Sequence, residues 1–277
     1  MASLTLENVL RRDRWIVALA LGAIVALSWV YILSLVLQMG HSGGGTADMS
    51  AMSGMDMSGM AMAGMTMLST PHLADLPVLF FMWVVMMVGM MTPAAAPMIL
   101  LYARVARMSA ARGRPFAATG WFVAGYLLAW IAFSLVATLL QGGLQRSALL
   151  SPEMASSNRL FTGFVLLAAG LFQWGPLKDA CLSQCRSPLS FIQRHGGFRA
   201  DARGSLLLGL LHGAYCVGCC WALMTLLFVG GVMNMLWIAA LTALVLLEKI
   251  APYGRRIAKA VGVVLMLSGG WVLAVNF

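Results

Sequence analysis

The sequence is poor in charge. Of 277 residues only 18 are Lys or Arg and 9 are Asp or Glu, 10% in all, where a soluble domain carries about 25%. So few charges cannot cover a water-facing surface, which excludes a soluble globular protein. With 61% hydrophobic residues and a mean hydropathy of +0.88, the chain belongs in lipid. Stretches of about ten residues alternating polar and apolar are also missing, which excludes a membrane β-barrel. No GxxxxGK[ST] phosphate loop, no DKTG phosphorylation motif, no Ser-His-Asp arrangement and no paired buried carboxylates occur. A nucleotide-driven pump and a hydrolytic enzyme are therefore not expected, and the protein reads as non-enzymatic.

What is present is a series of apolar runs. A spanning helix needs about 20 mostly apolar residues, and seven runs qualify or nearly so: Trp15–Met39, Leu76–Ala103, Phe116–Gln141, Leu160–Gly175, Ser205–Val229, Val232–Leu247 and Ile257–Val275. The expected fold is an all-α, polytopic transmembrane helical bundle of about seven spans. Three parts follow: residues 1–39 as a tail and first anchor, 40–75 as a flexible external loop, and 76–277 as a six-span core. Sixteen of the eighteen Lys and Arg fall on one side of this layout, with only Arg146 and Arg159 on the other. Positive residues gather on the cytoplasmic side, so the amino terminus is read as cytoplasmic and the carboxyl terminus as external, in a bacterial inner membrane. The net charge of +9 is then a sorting signal, and no nucleic-acid partner is implied.

Methionine is abundant, with 22 in the chain. Eight lie in the external loop, Met49, Met52, Met55, Met57, Met60, Met62, Met65 and Met67, two or three residues apart among Gly, Ser and Ala. A Gly/Ser-rich tract has no core to pack, so the thioethers are unexplained by packing. Thioether sulfur is a soft ligand that selects Cu(I); the plainer alternative is a linker in which Met is soft filler. The second span continues the pattern with Met82, Met86 and Met90, and beside them Met87 and Met91. Residues four apart share a helix face, so two rails of sulfur descend the helix, ahead of Pro93 and Pro97.

In the fifth span His212, Cys216 and Cys220 repeat every fourth residue, with Cys219 one step round. An ionisable residue inside a span is a functional hypothesis by default, and thiolates bind Cu(I) or Zn(II). The alternative is that these Cys are small apolar residues at a helix contact marked by Gly209, Gly213 and Gly218. A last pair, Cys181 and Cys185, follows the fourth span on the cytoplasmic side, where a structural disulfide is not expected. Glu248 and Lys249, adjacent at the end of the sixth span, are expected to pair with each other or face the interface.

The segments MMVGMMTPAAAP, GPLKDACLSQCRSP and GAYCVGCCWALMTLLFVGGVMN, followed by Glu248-Lys249, resemble a bacterial family described as predicted metal-binding integral membrane proteins, a domain of unknown function. The resemblance covers Leu76 to the carboxyl end and implies a polytopic membrane protein and a metal. In principle, though not by descent, the pattern is also similar to copper uptake channels, which combine Met-rich external segments with a Met rail and intracellular Cys/His acceptors. Bacterial mercury transporters, which place adjacent Cys in a membrane helix, keep Hg(II) open as a cargo.

Three readings follow. In the first, external Met residues collect Cu(I), the Met rails pass it to His212, Cys216, Cys219 and Cys220, and Cys181 and Cys185 receive it on the cytoplasmic face. In the second, the protein does not transport but is a membrane copper chaperone or accessory subunit for a copper enzyme. The third is a thiol redox carrier, weakened because no external Cys exists. Expected partners are the bilayer, a soft metal ion (Cu(I), with Zn or Hg open), a copper enzyme or copper chaperone, and a second copy of the chain.

Overall fold

In a computed structural model the described residues are 18–37, 76–111, 119–147, 149–150, 156, 158–198 and 200–275. They are helical apart from short turns and one isolated backbone bridge between Leu150 and Ser156. The eight loop methionines, Met49 to Met67, lie outside the described residues.

The helices are α1 (Ala18–Leu37), α2 (Leu76–Ala111), α3 (Thr119–Arg146), α4 (Arg159–Trp174), α5 (Pro176–Arg186), α6 (Pro188–Arg194), α7 (Ala202–Thr225), α8 (Leu227–Gly230), α9 (Met235–Ile250) and α10 (Gly254–Ala274). Several starts are written locally. Asn158, Asp201 and Asn234 accept from the free backbone N–H groups that open α4, α7 and α9, and such caps contribute about 1 kcal/mol each. Pro176 and Pro188 begin α5 and α6, where a missing N–H is harmless.

Among the described residues five helices are long and apolar enough to cross a bilayer: α1, α2, α3, the α7–α8 segment and α10. A sixth crossing exists if α4 and α5, bent by 62° at Gly175, act as one broken span. The seventh expected span, Val232–Leu247, corresponds to α9 with 16 residues, about 24 Å at 1.5 Å per residue. That is short of the ~30 Å hydrocarbon thickness. The expectation of about seven spans thus becomes five or six.

Three pairings build the frame around the site. Helices α2 and α3 run antiparallel, joined by Trp83 Nε1 to Gln141 Oε1 at 2.6 Å and by Tyr126 hydroxyl to the Met91 carbonyl at 2.9 Å. Helices α3 and α7 run parallel and touch backbone to backbone: a Cβ on Gly125 would strike the Leu206 carbonyl, and one on Gly209 the Phe122 carbonyl. Helices α4 and α10 run antiparallel across glycines, with Gly163 against Gly269 and Leu273 and Gly170 against Gly262 and Met266. Small residues that admit close backbones are how helices associate in lipid, where apolar burial gives little drive. Helix α1 is peripheral, meeting α2 through Ser28 at Gly89 and through Tyr31 edge-on to Phe81.

Candidate metal centre

The bend at Gly175 places the chemistry. Helix α5, PLKDACLSQCR, is too polar to sit in lipid unaided. One face of it nevertheless docks into the bundle, where Lys178, Cys181 and Leu182 are buried and the charged groups find partners. Lys178 Nζ meets Glu248 Oε2 of α9 at 2.6 Å, both side chains at most 2% exposed. Gln173 Nε2 donates to the other carboxylate oxygen at 3.0 Å. Arg186 at the far end donates to the carbonyls of Ala251 and Pro252. Gly218 leaves room on α7 for Cys181, whose Sγ stands 3.0 Å from where a Cβ would be.

So docked, α5 brings Cys185 against α7. Its Sγ is 3.9 Å from that of Cys219. Cys216, Cys219 and Cys220 are buried, and Cys185 is half-buried. The pair expected on the cytoplasmic face is therefore not separate: Cys185 joins the thiols of α7, while Cys181 packs beside them against Gly218. All five cysteines are free thiols.

Two residues complete the centre that sequence reasoning missed. Lys249, at the last turn of α9, donates from Nζ to Cys216 Sγ at 2.7 Å. Tyr126 of α3 places its hydroxyl 3.2 Å from the same sulfur. The expectation that Glu248 and Lys249 pair with each other is overturned. Neighbours on a helix diverge by about 100°, so Glu248 faces Lys178 while Lys249 faces Cys216. Lys178 and Lys249, counted among the positive charges that sort the topology, are core residues, at 1% and 8% exposure. Their one visible signal was charge at the ends of apolar runs.

The Met rails reach the same place. Met82, Met86, Met87, Met90 and Met91 are all buried, and Tyr126 links the Met91 carbonyl to Cys216 by its two contacts. The backbone of Met91 and the thiol of Cys216 thus meet at one tyrosine. His212, one turn before Cys216, is 2% exposed, and its Nδ1 is buried without a hydrogen-bond partner. Its ring lies among those of Phe122, Tyr126 and Phe191.

Among the described residues no group of three or more His, Cys, Asp or Glu side chains is disposed to hold a metal ion. The hydrogen bonds give the reason. Cys219 and Cys220 both turn their thiols onto the Cys216 carbonyl, at 3.1 and 2.8 Å. Their sulfurs point along their own helix and not toward a common centre. A soft metal would need those S–H bonds released and the side chains rotated. What the arrangement offers chemically is four clustered sulfurs, a fixed ammonium beside one of them, and a thioether-lined helix adjoining.

No curated protein and no solved structure matches the chain. A family profile does, from Phe80 to Val272. That range takes in the Met rails, α5, the thiols and the Glu248-Lys249 pair, and it leaves out the Met-rich loop. Matched over well more than half its length, the chain belongs to the PpoB2 family of copper chaperones.

Proposed function

We propose that the protein is a membrane copper chaperone that holds Cu(I) as cargo in the core of its bundle, at Cys185, Cys216, Cys219 and Cys220. The observation that carries this reading is the convergence of Cys185 from α5 on the α7 thiols, with Lys249 set against Cys216. Soft thiolates suit Cu(I), and a fixed ammonium offsets the negative charge that two or more thiolates bring into a low-dielectric interior. The Met rails of α2, ending beside Tyr126, are the route by which cargo reaches these sulfurs, and the Met49–Met67 loop is the external collector. Affinity rises from thioether to thiolate along that route, so no energy source is needed. His212 is a further ligand at the same depth, and Cys181 supports the docking of α5.

Family membership favours holding and delivery to a copper enzyme over uptake into the cell. The charge distribution supports a multi-pass inner-membrane protein with its amino terminus inside. The test is metal analysis of the purified protein under reducing conditions. The parent protein is expected to bind Cu(I) in preference to Zn(II), and a Cys216→Ser/Cys219→Ser/Cys220→Ser variant to lose it. Full Cu(I) binding in the variant would overturn the assignment. A cargo of Hg(II) would show as retention of mercury, not copper, in competition.

A further inference from the structure

Cys216, Cys219 and Cys220 are buried, so cargo leaves them past some side chain, and the structure marks one way out along α7. At the basic end of the bundle, beside Arg194 and Arg203, a cavity of about 390 Å³ opens among His195, Asp201, Arg203, Gly204, Leu207, Leu208 and Leu211. Leu208 and Leu211 belong to the turn of α7 that precedes His212. Between this cavity and His212 stands Phe191 of α6, fully buried. Its ring centroid is 5.1 Å from that of His212 on one side and 4.5 Å from that of His195 on the other. The two imidazoles therefore flank a single phenyl ring.

His195 is prepared as a ligand. Its Nδ1 lies 2.7 Å from the Phe191 carbonyl. A carbonyl only accepts, so the proton sits on Nδ1 and the lone pair on Nε2. Metal-binding histidines are commonly oriented by this backbone bond. The half-buried ring forms part of the cavity wall, and the inner partner, His212, has a buried Nδ1 with nothing to bond. Helix α6 is seven residues long and is followed by Gly196 and Gly197 with φ of 89° and 78°. Both values favour glycine, and the helix ends there with Gly197 N–H donating to the Ile192 carbonyl at 2.8 Å, so the peptide carrying Phe191 and His195 is a short separate piece and not part of a long span.

We propose that His195 is the transfer ligand at the mouth of the metal centre, receiving Cu(I) from His212 past Phe191 and presenting it to the cavity. This rests on the reading that the thiol cluster holds Cu(I). The step is a ligand exchange: bonds from copper to sulfur give way to bonds to imidazole nitrogen, copper stays Cu(I), and the vacated Cys216 thiolate remains paired with the Lys249 ammonium.

The experiment uses the full-length protein in lipid nanodiscs, loaded with Cu(I), and follows transfer to the water-soluble chelator bathocuproine disulfonate. His195→Phe is expected to keep the copper stoichiometry and slow transfer about tenfold or more, the range seen when a group supporting a metal site is lost. His195→Met, which also lacks the bond to Phe191 but keeps a soft ligand, should transfer nearly as fast as the parent. Equal rates for His195→Phe and the parent would overturn the proposal, as would a His195→Met variant as slow as His195→Phe. A parent protein that binds no copper would overturn both readings, whereas bound copper with unchanged transfer overturns this one alone.

Discussion

Lys178 and Glu248 meet at 2.6 Å with almost no exposure, and Gln173 supplies a further donor to the carboxylate. Removing one partner of such a pair leaves an uncompensated charge in the core, at a cost of about 3–5 kcal/mol. Glu248→Gln is thus expected to destabilise the protein by that amount, read by denaturant unfolding in micelles. The double variant Lys178→Met/Glu248→Leu should recover most of the loss, because well-packed apolar residues can replace a buried pair at little cost. At this scale the sequence was only half legible. His212, Cys216, Cys219 and Cys220 could be suspected as one neighbourhood from helical spacing and sulfur chemistry, whereas Cys185 was read with Cys181 as a separate cytoplasmic pair. Tyr126 could not, since a tyrosine in an apolar span carries no mark of what its hydroxyl touches. Lys249 was visible as a charge but was assigned the wrong partner, because its true one lies 33 residues away.

At the scale of elements, the parallel contact of α3 with α7 sets the distance from Tyr126 to Cys216. Gly125 and Gly209 lie against each other's neighbouring carbonyls, and no side chain fits at either place. Gly209→Leu is expected to push the helices apart and abolish stable folding, seen as loss of a monodisperse peak on size-exclusion chromatography. Gly22→Leu, where a Cβ meets nothing within 4 Å, should leave it intact. Long helices were legible because uniform hydropathy over 20 residues has few other meanings. Helix α5 was not, because its sequence is polar and its depth is decided elsewhere: by the bend at Gly175, by Glu248 on α9, and by the gap at Gly218. A cytoplasmic loop and a docked internal helix have the same composition when the partners that neutralise them are distant in the chain.

At the scale of the whole molecule, helices α3 and α7 are parallel, while α2 with α3 and α4 with α10 are antiparallel. Which end of these helices faces the cytoplasm is read from charge alone, which predicts the amino terminus inside. Reporter fusions test this directly. An alkaline phosphatase fused after Arg114 is expected to be inactive, and one fused after Arg146 active, since the enzyme matures only outside the cytoplasm; the reverse pattern would refute the amino-inside orientation. Of the sixteen basic residues counted on one side, Lys178 and Lys249 are buried in the bundle and not at the surface.

The bend between α4 and α5 also has a meaning for biogenesis. A chain leaving the ribosome delivers Lys178 of α5 70 residues before its partner Glu248. Until α9 arrives, an unpaired ammonium keeps α5 out of the hydrocarbon, since a lone charge there is strongly disfavoured. Cys185 accordingly joins the other thiols only after synthesis of α9 is complete. A truncated or half-inserted chain therefore lacks the contact between Cys185 and Cys219 that draws the thiols together.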